Sequence, residues 1–286
     1  MGGARPNWEL SSGHELVANV LFGAVGLVAL AYCIHLARRE HKRYPLFVFL
    51  GAGLSVFYEP INNVLGHCTY PEIGQVTWIS TFGRHIPTYI GPVYFFYFSA
   101  PILWIMGRIR AGVTTRQWWT YYSVGVVVCT CFELIPIHYG WWKYYGANQG
   151  LRILGFPMWW WFANPMCLFA IATLFHFLRE RVITDRLSPL LVVLWPMALF
   201  GVHGSAAIPV YTALNSTTNT ALTALATLLT IGLALMVMTL TGKLVAVDAR
   251  RDAGATPTVT PAPENEQALV LQPSMPAGLR PAGTIR

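Results

Sequence analysis

Seven apolar stretches, each about as long as the hydrocarbon layer of a bilayer is thick, constrain this chain more than any motif in it. A helix needs about 20 apolar residues to cross that layer. Inside it a backbone must satisfy its own polar groups, which leaves helices as the structure for such stretches. They fall at residues 15–37, 44–65, 86–107, 117–137, 156–178, 189–211 and 220–243. With 55% hydrophobic and 11% charged residues, the 286-residue chain is not a soluble globular domain. The expected fold is therefore all-α and integral to the membrane: a seven-transmembrane-helix bundle over residues 1–246. Residues 247–286, rich in Pro, Ala, Thr and Gly without apolar periodicity, are expected to form a disordered tail.

Lys and Arg set the orientation. They follow the first span (Arg38, Arg39, Lys42, Arg43), the third (Arg108, Arg110, Arg116), the fifth (Arg179, Arg181, Arg186) and the seventh (Lys243, Arg250, Arg251). The opposite loops hold only Arg84, Lys143 and Arg152. This predicts an outside N-terminus and a cytoplasmic C-terminus in a multi-pass protein, most naturally of the plasma membrane. The net charge of +7 then belongs to cytoplasmic loops and tail. Its partner is anionic lipid of the bilayer rather than nucleic acid. The first fourteen residues are polar and read as no cleavable signal, so the first span would be its own insertion signal. The five cysteines suggest neither a disulfide pair nor a metal site; Cys129 and Cys131 point in different directions on one helix.

Against this background Tyr58-Glu59-Pro60-Ile61-Asn62-Asn63 stands out, because a carboxyl and two amides lie where lipid tolerates few polar groups. Glu133 has a similar position in the fourth span. With the second and fourth spans running outward, Glu59, Asn62, Asn63 and Glu133 share one depth with Asn164 and His203. His67 would continue the Glu59 face at i+8. Outer loops add Arg84, His85, Tyr144, Tyr145, Asn148 and Trp159 to Trp161, so both carboxyls are expected to face one polar-floored, aromatic-walled pocket. Simpler roles compete residue by residue. Each Asn can be a bridge between helices, His203 between Gly201 and Gly204 can serve close helix packing, and Trp141, Trp142, Trp159 and Trp160 read as an interfacial belt. The prolines of the spans read as kinks.

A buried carboxyl without a basic residue within a helical turn favours its neutral form and can act as a general acid. Aromatic faces around it stabilise a cation by roughly 0.5–2 kcal/mol each. That pairing suits protonation of an alkene or epoxide on a hydrophobic isoprenoid delivered from the bilayer, without metal or cofactor. Glu59 is the expected acid and Glu133 its partner, with Tyr58, Asn62, Asn63, His67, Trp160, Asn164 and His203 binding substrate.

The run Arg39-Glu40-His41-Lys42-Arg43-Tyr44-Pro45, followed by an apolar stretch ending in Phe57-Tyr58-Glu59, resembles the basic loop and second helix of the small seven-helix membrane terpene cyclases of meroterpenoid pathways. The resemblance implies an acidic residue near the end of that helix as proton donor, here Glu59. Those enzymes place a second acidic residue on the last helix. The span 220–243 has none, and Glu133 would have to substitute for it. Tyr145-Gly146 through Gly155-Phe156-Pro157 is similar to a segment of membrane carotenoid hydratases. Histidine boxes for di-iron oxidation and a DDxxD run for magnesium-diphosphate are absent from the sequence, and the seventh span has no lysine before Lys243 at its very end to hold retinal. Two other readings remain open: a proton-coupled transporter or small-molecule receptor using the same glutamates, and a pathway partner without chemistry.

Overall fold

The spans fold as helices because lipid leaves their backbones no other partner, and each break in them has a local cause. A computed structural model describes residues 5–254, with side chains over residues 5–246. Helix α1 (Ser12–Glu40) is capped by Ser11 and closed by His41 in the left-handed conformation. The second span is composite: α2 (Tyr44–Leu54), a 3₁₀ turn (Ser55–Tyr58) and α3 (Glu59–Leu65). Pro60 has no N–H to offer the Val56 carbonyl, so the turn before it tightens and the Glu59 N–H takes that carbonyl instead. Then come α4 (Ile90–Arg110), α5 (Thr115–Tyr139) with a Thr114/Gln117 capping box, and α6 (Met158–Arg181). The sixth span joins α7 (Leu190–Leu199) to α8 (Ser205–Ser216) through a π-helical turn at Phe200–Gly204, and α9 (Thr220–Gly254) is the last helix.

Seven helical spans are long and apolar enough to cross a membrane, so this is an all-α, multi-pass membrane protein. Large apolar side chains lie open on its outside, among them Leu27 and Val28 of α1, Val127 and Val128 of α5 and Leu225 of α9. A surface of that kind fits lipid rather than water. The third span begins at Ile90 rather than at residue 86, because residues 84–87 are extended. The last helix continues to Gly254, past the expected start of the tail at residue 247; the remainder of that tail lies outside the described residues.

One end of the bundle carries a cap that apolar periodicity did not announce. Three short antiparallel ribbons pair β1 (Cys68–Thr69) with β4 (Lys143–Tyr144), β2 (Thr77–Thr81) with β3 (Arg84–Pro87), and β5 (Arg152–Ile153) with β6 (Phe156–Pro157). The N-terminal segment joins them. Trp8 donates to the Gly140 carbonyl at 2.8 Å, Lys143 lies 4.2 Å from the centre of the Trp8 ring, and Arg5 pairs with Glu72. At the other end the basic loops are tied by Arg110 to Glu40 at 2.7 Å and by Arg43 to Asp185 at 3.4 Å.

Burial in lipid gives helices little hydrophobic drive, so close packing has to hold them together. The Gly51-Ala52-Gly53 run of α2 supplies it. A Cβ on Gly51 would lie 2.7 Å from Trp195 Cβ and 2.8 Å from the Leu191 carbonyl, and one on Gly53 would lie 2.1 Å from Phe95. Glycine here lets α2 settle against α4 and α7, which carries Glu59 into the bundle.

Candidate functional site

Glu59 sits at the junction of the 3₁₀ turn and α3, 8% exposed, with its carboxyl turned toward α4. Tyr94 on α4 donates to Oε2 at 2.6 Å, and Tyr70, from the segment just after β1, donates to Oε1. Glu133 on α5 is held in the same manner. Trp142 Nε1 donates to its Oε2 at 2.9 Å and the Tyr144 hydroxyl to the same atom at 3.1 Å. Oε1 of Glu133 has no hydrogen-bond partner among the described residues. Nor does either carboxyl meet a cation among them: Arg84, the one buried arginine among the described residues, bonds instead to the Tyr145 hydroxyl at 2.6 Å. Both glutamates are therefore held by neutral donors alone.

The β1–β4 ribbon makes this symmetry. Its register sets Cys68 opposite Tyr144, so the chain leaving α3 and the chain leaving α5 are tied together above the bundle and each delivers a tyrosine to the glutamate of its own span. Burial, and then the neighbouring Glu59, push the Tyr70 hydroxyl well above the usual phenol range. Burial and then Glu133 do the same for Tyr144. Both phenols stay protonated and act as donors, not as bases.

Glu59 and Glu133 line one cavity of about 70 Å³, together with Asn62, Asn63, Asn164 and Trp160 as expected. Tyr70, Tyr94, Tyr97, Phe132, Trp142 and Tyr144 add to the wall. Two donors in that wall, Asn63 Nδ2 and Trp160 Nε1, are buried without a hydrogen-bond partner. The volume holds a few waters or the tip of a substrate, since one water needs roughly 10–15 Å³ by this measure. A larger, almost wholly apolar groove of about 540 Å³ adjoins it, between α4, α5 and α6, sharing Tyr97 and Phe132 as a common wall. Val124 and Val128 on its rim are exposed on the lipid-facing outside.

Of the loop residues expected in the wall only Tyr144 and Trp160 line the cavity, while Arg84, His85, Tyr145, Asn148, Trp159 and Trp161 do not, and three of the expected substrate-binding residues also stand elsewhere. Tyr58 points away from its neighbour Glu59 and forms a second cluster: its hydroxyl is 3.5 Å from that of Tyr211, which donates to Asn62 Oδ1 at 2.5 Å and lies 3.3 Å from His203 Nδ1. The π turn carries His203 inward behind Trp160, ring centres 5.1 Å apart, so it supports the wall and does not form it. Gly201 has open space around it, which removes the close-packing role expected of it. His67 leaves the Glu59 face because α3 stops at Leu65 and His67 turns left-handed, φ 52°, to stack on Tyr145 at 5.0 Å. Burial lowers the His67 pKa from its ordinary value, which favours the neutral ring. The tryptophan belt is also corrected. Trp141, Trp142, Trp159 and Trp160 are all at most 4% exposed, so they pack inside the bundle and its cap and do not ring the lipid interface.

Tyr94 had a signal in the sequence: Ile90, Val93, Tyr94, Tyr97 and Phe98 recur at helical spacing on one face of α4, and all of them line the cavity. Tyr70 and Tyr211 had none, since one depends on a two-residue ribbon and the other on the π turn. No family model, curated protein or solved structure matches this chain. No group of His, Cys, Asp and Glu suited to a metal ion occurs among the described residues.

Proposed function

We propose that the protein is a membrane-embedded enzyme that starts a carbocation reaction on a hydrophobic isoprenoid, by cyclisation, hydration or isomerisation, with Glu59 as the proton donor. The observation that carries this reading is the pair of glutamates held only by neutral donors in one aromatic-walled cavity, next to an apolar groove that opens toward lipid. Glu59 gives its proton to the reacting carbon or oxygen. Phe132, Tyr97 and Trp142 face the cation that follows. Glu133, whose Oε1 is unengaged, takes up the proton lost at the end. Asn63 Nδ2 and Trp160 Nε1 receive an epoxide oxygen, or hold the water of a hydration. We take the basic end of the bundle as cytoplasmic and the ribbon cap as external, in the plasma membrane. The resemblance to meroterpenoid cyclases supports the role of Glu59; the role of Glu133 rests on the cavity alone.

A transporter built on the same glutamates needs polar groups that continue toward the basic end. Three of the polar groups in the inner halves of the spans are engaged within their own helices: Ser55 bonds to the Gly51 carbonyl at 2.9 Å, Ser99 to Phe95 at 2.5 Å and Thr173 to Phe169 at 2.8 Å. This favours a closed reaction pocket over a relay. The test is expression in a host supplied with prenylated and epoxidised prenyl precursors, wild type beside Glu59→Gln, with lipid extracts compared by mass spectrometry. An isomeric or hydrated product made only by the wild type is expected. Equal product from the Gln variant contradicts the mechanism.

A further inference from the structure

Three recesses of this bundle share walls in sequence. The cavity between the glutamates meets the apolar groove at Tyr97 and Phe132, and Trp104 at the far end of that groove is also a wall of a third recess, about 770 Å³, at the basic end. Five cations line this third recess, Arg39, Lys42, Arg108, Arg110 and Arg179, and Glu40 is the one carboxylate among the described residues of its lining. Arg110 occupies both oxygens of Glu40, at 2.7 and 2.9 Å. The other cations are left over. Arg108 lies 5.2 Å from the centre of the Trp104 ring, and Arg179 stacks 3.8 Å from that of Tyr44 with a buried Nη1 that has no hydrogen-bond partner. Guanidinium forks with open donors beside an apolar wall match a phosphate on a hydrophobic chain.

The spacing sets the length of that chain. Tyr94, which holds Glu59, and Arg108 are both on α4, fourteen residues apart; at ~1.5 Å per residue the interval is about 21 Å. That is roughly two-thirds of the ~30 Å hydrocarbon layer. We infer that the three recesses form one site for a single amphiphile, a long-chain isoprenoid phosphate or diphosphate, whose anionic head rests among Arg39, Arg108 and Arg179 and whose chain runs past Trp104 to bring its far end between Glu59 and Glu133. The inference rests on the acid-initiated reading above and adds the substrate class. In the reaction Glu59 protonates the far-end alkene carbon or epoxide oxygen, the next alkene's π electrons form the new C–C bond, and a carbon beside the final cation gives its proton to Glu133. The phosphate ester bond stays intact, and the product is an isomer that needs no co-reactant.

The test is equilibrium binding of radiolabelled geranylgeranyl diphosphate to the full chain in nanodiscs of neutral phosphatidylcholine. Arg39 and Arg108 are exposed, so Arg39→Gln/Arg108→Gln keeps the fold; it is expected to weaken binding by on the order of tenfold or more. Val128→Trp, which fills the apolar groove from its exposed rim, is expected to weaken geranylgeranyl diphosphate and geranylgeraniol alike. Equal affinity for the diphosphate and the alcohol overturns the inference. So does indifference to the double Arg change, or complete displacement by phosphatidylglycerol placed in the discs, which would make the recess a phospholipid site. Arg-dependent binding without any product supports the site and sinks the cyclase reading. Turnover of a neutral isoprenoid that is undiminished in the double variant supports the cyclase reading and overturns the site.

Discussion

Glu59 and Glu133 come from different spans, yet each is held by two neutral donors, and all four donors come from beyond the helices that carry the carboxyls. Removing one donor therefore tests the site without touching its acid. Tyr94→Phe leaves the ring that packs on Phe98 at 5.0 Å and deletes only the hydroxyl on Glu59 Oε2. A hydrogen bond to a group that changes charge is worth about 1.5–3 kcal/mol, so turnover is expected to fall roughly ten- to hundredfold while expression and thermal stability hold. Rates of purified Tyr94→Phe and wild type check this; an unchanged rate would mean that Tyr94 does not tune Glu59. Glu133→Gln is expected to slow turnover with little change in substrate affinity, read as a fall in kcat at constant KM. At this scale both carboxyls and their shared cavity were legible in the sequence, because a carboxyl in an apolar span is conspicuous. The tyrosines that hold them were not, because Tyr70 and Tyr144 lie in loops whose path depends on a ribbon of two residue pairs.

The helices owe their positions to glycines and prolines more than to hydrophobic faces. Gly51 of α2 meets the Leu191 carbonyl and Trp195 Cβ of α7 at distances that leave no room for a methyl group. Backbone cannot yield as a side-chain tip can, so Gly51→Ala is expected to cost about 1–3 kcal/mol and to lower the midpoint of thermal unfolding in detergent. Gly232→Ala in α9 has nothing within 4 Å and serves as the control, neutral or slightly stabilising. A Gly51→Ala protein as stable as wild type would count against the close α2–α7 contact. The seven spans were visible from length and apolarity alone. Their breaks were only half visible: Pro60 announces the 3₁₀ turn before it, whereas the π turn at Phe200–Gly204 lies between Pro196 and Pro209 without a residue that demands it.

For the whole molecule, the ribbon cap and the basic end lie on opposite ends of the bundle, and the proposal that the basic end is cytoplasmic rests on the distribution of Lys and Arg. Phe82 at the tip of the β2–β3 hairpin is 67% exposed and Leu187 in a basic-end loop is 43% exposed. In intact cells a membrane-impermeant maleimide is expected to label Phe82→Cys and to spare Leu187→Cys until the membrane is opened. The reverse pattern would invert the orientation and place the cap inside. In either orientation the proposed reaction begins with proton transfer from the protein to the substrate. The most direct measurement is turnover by the purified chain in nanodiscs equilibrated in D₂O, with the product analysed by mass spectrometry. Proton transfer from Glu59 to an alkene puts a single deuterium on the product, bound to the carbon that receives it. Product from an alkene substrate that carries no deuterium would contradict it.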